Sequence, residues 1–152
     1  MESPRQSYWQ TAKRILRYIK GTHSDRIFYP YANNSSLVGF SDSDWAGEMI
    51  QRRSTSGYAF YLGNGVFSWF SKKQQVVALS TAEVKYMAAA HSATQALWLR
   101  KTISFLLHEQ IGPTKIYCDS KSTIELSKNL VFQGRNKDID IKFYFICELV
   151  QD

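Results

Sequence analysis

An aromatic hairpin followed by a long helix is the feature that most constrains how this chain can fold. The segments Ser54 to Leu62 and Val66 to Lys72 are rich in aromatic and β-branched residues, and Gly63-Asn64-Gly65 between them is typical of a tight turn. Ser80-Thr81-Ala82-Glu83 then has the pattern of a capping box, in which the serine hydroxyl and the glutamate carboxylate bind each other's free backbone N–H groups. A helix is predicted from there to about Leu107, so this part of the chain pairs a sheet with a helix that can cover it.

The segments around this unit extend it on both sides. An amphipathic helix is predicted over residues 4–20, because Trp9, Leu16 and Ile19 share one helical face and Gly21 follows as a stop. The other predicted elements are extended segments over 26–32 and 37–41, a strand over 115–118, and helices over 121–128 and 139–151. This order of strands, hairpin, long helix, strand and two helices predicts an α/β or α+β fold with a mixed sheet.

Composition excludes several classes of protein. The chain has 152 residues, of which 44% are hydrophobic, and this is typical of one packed globular domain rather than a disordered tail. The net charge of +6 suits a polyanionic partner such as nucleic acid. No apolar run is long enough for a membrane span, cations interrupt the N-terminal region, and the two cysteines form no disulfide framework. We therefore expect an intracellular protein of the cytoplasm or nucleus, without a membrane partner and not secreted.

Two aspartates follow predicted strands. Asp42 comes after the apolar segment Leu37 to Ser41, and Asp119 comes after Lys115 to Cys118. Carboxylates at strand ends can meet at one edge of a sheet, where they could hold Mg²⁺ through oxygen ligands. The alternative is structural: Asp119 would cap the following helix, and Asp42 and Asp44 would be turn residues. The residues alone leave both interpretations open.

Four cations lie beside the predicted hairpin: Arg52, Arg53, Lys72 and Lys73. With the nearby rings of Trp69 and Phe70 they could bind nucleic acid, because phosphate contacts need no catalytic metal. Equally, they could be ordinary solvated surface charges.

Five ordered blocks of the sequence resemble the ribonuclease H domain of copia-type retrotransposon polyproteins. The blocks are Gly39 to Gly47, Arg53 to Tyr58, Ser71 to Gln74, Leu79 to Glu83 and Ile116 to Asp119. The resemblance covers nearly the whole chain and implies a ribonuclease H-like domain over residues 36–152. It also implies that residues 1–35 resemble the segment that joins the reverse transcriptase half to this domain. An RNA/DNA hybrid and a reverse transcriptase domain are the partners that follow from it.

The resemblance assigns roles to single residues. Active members of that family hold two Mg²⁺ ions with four acids and cut the RNA strand of an RNA/DNA hybrid. The first acid matches Asp42 and the third matches Asp119, but in place of the second, a Glu before an aromatic residue, this chain has Lys85 before Tyr86. Because the chain stops at Asp152, we expect it to lack the family's last strand and the last helix, which carries the fourth acid.

The helical spacing draws attention to Lys85 without reference to the family resemblance. It is the only charged residue on a stripe of the long helix formed by residues 82, 85, 89, 92, 96, 99, 103 and 106. A lone charge on a sheet-facing stripe indicates chemistry, although a lysine near a helix end can also extend harmlessly to water. Our hypothesis is that the Lys85 ammonium lies near the family's metal position and pairs with one or both aspartates. The three groups then sum to −1, which at best holds one ion weakly.

Three functions are compatible with these patterns. The first is a catalytically impaired ribonuclease H-like domain, either a genomic remnant or a nucleic-acid-binding module. The second is an active Mg²⁺-dependent endonuclease that cuts the RNA strand of RNA/DNA hybrids. The third follows from Arg14-Ile15-Leu16-Arg17, which resembles the Arg-x-Leu-Arg motif of secreted oomycete effectors. No apolar signal-peptide core precedes that motif, and the amphipathic helix accounts for the same residues.

Overall fold

A four-stranded sheet with one long helix across it forms the centre of the molecule. The computed structural model describes residues 5–29, 36–47, 52–106, 109–128 and 145–150. In chain order the elements are α1 (Gln6–Gly21), β1 (Leu37–Ser43), β2 (Thr55–Leu62), β3 (Gly65–Lys73), α2 (Thr81–Phe105), β4 (Lys115–Cys118) and α3 (Lys121–Lys128). Residues 145–150 are also helical.

The sheet is mixed, as the sequence predicts. The strand order is β3-β2-β1-β4, with β1 antiparallel to β2, β2 antiparallel to β3, and β1 parallel to β4. β2 and β3 form the predicted hairpin, whose turn is made by Gly63 and Asn64. Gly63 has a φ of 59°, in the left-handed region that glycine adopts without steric cost, which explains the residue type at this turn.

The core lies between α2 and the sheet. Leu37 and Phe60 of the sheet pack with Ala96, Leu99 and Ile103 of α2, and all five are buried. The helical stripe predicted from the sequence is therefore confirmed over its central and later turns. It is wrong at its end, where Leu106 is exposed because α2 ends at Phe105 and Leu106 is the residue after the helix.

Space for Phe60 explains a glycine in β1. A Cβ atom added to Gly39 would lie 2.6 Å from the Phe60 ring, closer than carbon atoms approach each other in proteins. Gly39 therefore allows the largest fully buried side chain of the described residues to lie against β1.

A second cluster covers the first half of α2. It contains Tyr86 and Ala90 of α2 with Ile146 and Cys147 of the helical residues 145–150. Burial raises the pKa of the Tyr86 hydroxyl and of the Cys147 thiol, so both groups are neutral at pH 7. The first half of α2 is thus buried on more than the sheet-facing side.

One predicted extended segment does not become a strand of the sheet, and parts of two other predictions fall on residues that the structure does not describe. Residues 26–29, the described part of the extended segment predicted over 26–32, are exposed and do not join the sheet. The Tyr29 hydroxyl instead donates to the Val66 carbonyl, so a side chain rather than a backbone ladder makes the contact. Residues 139–144 and 151 of the predicted late helix, and the predicted domain boundary near residue 35, lie outside the described residues.

α1 confirms the predicted N-terminal helix. None of its 16 residues is buried, and its apolar side chains Trp9, Leu16 and Ile19 are exposed. Among the described residues, no helix is both long enough and apolar enough to cross a membrane.

Candidate functional site

The pairing of β1 with β4 brings the two predicted aspartates together. Ser41 is the partner of Cys118 in this parallel pair, and Asp42 and Asp119 are the next residue in each strand direction. Because both strands run the same way, the two carboxylates lie at the same edge of the sheet. The predicted convergence of Asp42 and Asp119 is therefore present in the structure.

The start of α2 places Lys85 at this edge. The Ser80 hydroxyl accepts a hydrogen bond from the Glu83 N–H at 3.2 Å, as the capping box predicts. The other half of the box differs, because the Glu83 carboxylate accepts from the Leu79 N–H at 2.7 Å rather than from Ser80. Glu83 is thus engaged in capping, and Lys85 lies two residues further along the helix on the side of the aspartates.

Lys85 contacts both carboxylates. Its Nζ atom donates to Asp119 Oδ1 and lies 3.5 Å from Asp42 Oδ1. The ion pairing predicted from the sequence is therefore confirmed. An ammonium group occupies the space between the two aspartates.

The pairing of Lys85 with Asp119 shifts the pKa values of both groups toward their charged forms. The hydrogen bond from Lys85 holds the pKa of the Asp119 carboxyl below its ordinary value, and the same bond raises the pKa of the Lys85 ammonium. The Lys85 side chain is 21% exposed, whereas Asp42 and Asp119 are 80% and 65% exposed. Water therefore screens the carboxylates, and the pair has the modest strength of a surface salt bridge.

The hydrogen bonds of Asp119, Asp44 and Asp42 test the capping and turn roles that the sequence analysis considered for them. The Ser120 hydroxyl, not Asp119, accepts the Thr123 N–H at 3.2 Å at the start of α3, so the capping role considered for Asp119 is wrong. Asp44 directly follows β1 and contacts the first residue of β2, because its carboxylate accepts from the Thr55 N–H and its own N–H donates to the Thr55 carbonyl at 3.1 Å. Asp42 accepts from the Ser43 N–H at 2.7 Å and still reaches Lys85.

The donor set does not suit a pair of Mg²⁺ ions. Within the part of the chain that the structure describes, no three His, Cys, Asp or Glu side chains come close enough to hold a metal ion together. Lys85 offers three hydrogen-bond donors and no lone pair, so it cannot coordinate a cation and repels one. Two carboxylates shared with an ammonium are a poor match for two divalent ions.

The four predicted cations lie near the same edge of the sheet. Lys72 and Lys73 end β3 opposite Ser56 and Thr55, and Arg52 and Arg53 are separated from the start of β2 by Ser54 alone. Ser56 also pairs with Ser43, so this corner of the hairpin is one strand away from the residue after Asp42. Lys72, Lys73 and Arg52 are exposed, and Arg53 is half-buried. The four cations, which we call the basic corner, thus lie at the same end of the sheet as the carboxylates.

The two nearby aromatic residues differ in what they can contact. Trp69 is 72% exposed, so its ring is open to a partner. Phe70 lies on the other side of β3 and stacks on Tyr58, with ring centroids 5.1 Å apart. Trp69 is therefore the more accessible ring of the two.

Sequence reasoning missed two features of the site. Phe40 and Tyr117 stack with centroids 5.2 Å apart and line an open pocket of about 580 Å³ together with Asp42 and Asp119. Gln74 and Ser56 are buried directly behind the carboxylates. The first depends on the pairing of two distant strands, which no local pattern shows. The second had a signal, because Gln74 closes the polar block Ser71 to Gln74.

Comparisons with known proteins identify relatives along the whole chain. No protein-family model matches it. The chain is 39% identical over 153 residues to the Retrovirus-related Pol polyprotein from transposon TNT 1-94 of Nicotiana tabacum, and the match covers 100% of this chain and 11% of that polyprotein. It is 38% identical over 151 residues to the Pol polyprotein from transposon RE2 of Arabidopsis thaliana, covering 99% of this chain and 10% of the relative. The chain thus spans about a tenth of the length of these curated relatives.

One relative of a different name covers part of the chain. Secreted RxLR effector protein 161 of Plasmopara viticola is 48% identical over 96 residues, which are 63% of this chain and 68% of that protein.

Solved structures show the same fold. LC11-RNase H1, isolated from compost, superposes with a TM-score of 0.52 at 12% identity, covering 77% of this chain and 76% of the other. The N-terminal RNase H domain of rv2228c from Mycobacterium tuberculosis gives a TM-score of 0.52 at 11% identity, covering 78% and 76% of the two chains. At such identities the similarity concerns the fold alone. The chain therefore has a ribonuclease H-like fold, and over nearly its whole length it matches a segment of the retrovirus-related Pol polyproteins of copia-type transposons.

Proposed function

We propose that this ribonuclease H-like domain binds nucleic acid but is catalytically impaired. The observation that carries the proposal is the position of the Lys85 ammonium between Asp42 and Asp119. In the family that the sequence resembles, a second acid stands where this chain has Lys85. A positive charge there opposes the binding of divalent ions, on which hydrolysis of the RNA strand depends in that family.

The role of the three residues in this proposal is electrostatic. The Lys85 ammonium donates a hydrogen bond to Asp119, which lowers the pKa of that carboxyl, and it also lies 3.5 Å from Asp42. The ammonium leaves the site with a net charge of about −1 and no water-activating group. The site is thus a closed ion pair rather than a metal centre.

Nucleic-acid binding is supported by the basic corner. Lys72, Lys73 and Arg52 are exposed beside the carboxylate edge, and the whole chain carries a net charge of +6. Such cations bind phosphates by releasing counterions, which requires neither a metal nor an intact acid set. The ligand class we propose is an RNA/DNA hybrid, which the wider family recognises, bound along the corner and the exposed Trp69.

A paired assay of binding and cleavage tests this function. The purified 152-residue chain is mixed with a fluorescent RNA/DNA hybrid in Mg²⁺ and, separately, in Mn²⁺. We expect the hybrid to be bound and to remain intact. Cleavage that disappears in an Asp42→Asn variant would instead establish the active endonuclease, and absence of binding by a folded sample would refute the binding role.

A secreted-effector role is the second candidate function. It is supported by the similarity to Secreted RxLR effector protein 161 and by the string Arg14-Ile15-Leu16-Arg17. These four residues lie within α1, where the helix by itself accounts for their pattern. A secretion-trap assay in yeast, with the chain fused upstream of a reporter that must be exported, separates the two functions. Export of the reporter would favour the effector.

A further inference from the structure

A buried polar cluster lies behind the carboxylate edge. Gln74 follows the last residue of β3 and is only 3% exposed. Its Nε2 atom donates to Ser56 Oγ at 2.7 Å and to the Val84 carbonyl at 3.2 Å. Its backbone N–H donates to the Ser54 carbonyl at 2.7 Å, and both serines are buried as well.

The cluster connects the segments that carry the site. Val84 directly precedes Lys85 in α2, and Ser56 pairs with Ser43, the residue after Asp42. A single side chain, that of Gln74, therefore joins the helical turn of Lys85 to the strand pair that carries Asp42.

The same cluster extends to the loop after β1. The Ser54 hydroxyl accepts the Ala46 N–H at 3.0 Å, and Ala46 has a φ of 50°, a conformation that costs energy for a residue with a side chain. Through its bond to Ser54, Gln74 thus also supports the loop that follows Asp42 and Asp44.

A glutamine at this place is informative because burial of an amide is costly. An amide buried without hydrogen bonds destabilises a protein, whereas an apolar side chain of the same size fills the space without that cost. The Val84 carbonyl can only accept, so the amide nitrogen must face it, and this determines the orientation of the side chain. The contribution of Gln74 is therefore a pair of directed hydrogen bonds between α2 and β2, and not only the filling of space.

We propose that Gln74 is a positioning residue that sets the reach of Lys85 to Asp42 and Asp119. The lysine stem has four rotatable carbons, so the position of its ammonium depends on where its helical turn is anchored. By binding the carbonyl before Lys85 and the strand beside Asp42, Gln74 holds that anchor. The inference rests on the proposed function, in which the ammonium in this place closes the site to metal ions.

The chain offers a matched control for this role. Gln95 of α2 also donates to a serine hydroxyl of the hairpin, Ser68 Oγ, at 3.4 Å. It joins the same helix to the same hairpin about ten residues beyond Lys85, away from the aspartates. Gln74→Met removes two side-chain bonds at the proposed anchor, whereas Gln95→Met removes one bond between the same helix and hairpin away from that anchor.

The experiment measures how fast the Lys85 ammonium exchanges its protons with water. In ¹⁵N-labelled full-length chain the lysine side-chain signals are recorded by NMR, and that of Lys85 is identified by its loss in Lys85→Gln. An ammonium held by carboxylates exchanges slowly. We expect a severalfold faster exchange for Lys85 in Gln74→Met and the wild-type rate in Gln95→Met, while backbone spectra of both variants remain those of a folded protein.

Each other result overturns the inference in an identifiable way. Equal rates for Lys85 in the wild type and in Gln74→Met would show that Gln74 does not position it. An equal acceleration in both glutamine variants would show general loosening of the helix. If Asp119→Asn left the rate unchanged, the ion pair itself would be absent, and the proposed function would fail together with the inference.

A milder variant covers the case in which Gln74→Met does not fold. Ser56→Ala removes one of the two side-chain bonds of Gln74 and leaves the bond to Val84. We expect a smaller acceleration of the Lys85 exchange in this variant. No acceleration in a folded Ser56→Ala sample would overturn the inference.

Discussion

Replacing Lys85 by glutamate should turn the ion pair into a site that holds a divalent cation. The substitution changes the charge of the Asp42, Asp119 and position-85 group from −1 to −3. It also places a carboxylate at a position whose present side chain, that of Lys85, lies between Asp42 and Asp119. Oxygen ligands of this kind suit Mg²⁺ and Mn²⁺.

The size of the effect follows from the exposure of the site. Because Asp42 is 80% exposed and Asp119 is 65% exposed, the screening is that of water. Two unit charges about 4 Å apart then interact by about 1 kcal/mol, so a change of two charges acting on a divalent ion amounts to about 4 kcal/mol. Desolvation and repulsion among the three carboxylates offset much of this, and we expect at least about a tenfold gain in affinity, equivalent to about 1.4 kcal/mol.

Isothermal titration with Mn²⁺ at low ionic strength measures this gain. Lys85→Gln serves as one control, because it removes the charge without adding a ligand. Lys101→Glu serves as the other, because it makes the same change of net charge on an exposed position of α2 away from the site. If Lys85→Glu binds Mn²⁺ no better than Lys101→Glu, the reasoning that Lys85 stands in for a metal is refuted.

Three further predictions concern pH, salt and packing. The lowered pKa of Asp119 means that its pair with Lys85 stabilises the fold above the ordinary value of 3.8, and that this contribution disappears as the pH falls through the lowered pKa. Urea unfolding of Asp119→Asn should therefore show a weaker loss of stability in acid than the wild type; identical profiles would exclude the coupling. Replacing both Lys72 and Lys73 by alanine should reduce the slope of log affinity against log salt for a hybrid by up to about 2, whereas Lys101→Ala should leave it unchanged. Leu99→Ala should cost about 2–5 kcal/mol in the free energy of unfolding, because Leu99 is buried between α2 and the sheet, and a loss below about 1 kcal/mol would contradict the described core.

Local patterns predicted most of the elements. The bounds of β4 and α3 agree with the sequence analysis, whereas β2 differs from it by one residue at its start and β3 by one residue at each end. These elements have strong local signals, namely alternation, turn residues and helical spacing. The segment over 26–32 had the composition of a strand, but its described residues have no backbone partner in the sheet, and composition alone cannot supply one.

The candidate site was predictable only in part. Asp42, Asp119 and Lys85 could be named because each stands at a recognisable place, after a strand or on a helical stripe. Details of hydrogen bonding could not be predicted in the same way. Ser120 rather than Asp119 caps α3, since the choice between two neighbouring polar residues depends on backbone geometry at the helix start.

The sequence by itself determined most of the elements, their order, the similarity to the Pol polyproteins of copia-type transposons and the identity of the three charged residues. These features depend on residue type and on neighbours along the chain, and both are given directly by the sequence. Only the tertiary structure decided that Lys85 contacts both aspartates, that the basic corner adjoins them, and that Gln74 is buried behind them. These facts require β1 to pair with β4 and α2 to cross the sheet, and the burial and distances that such long-range packing creates are not written in any local segment.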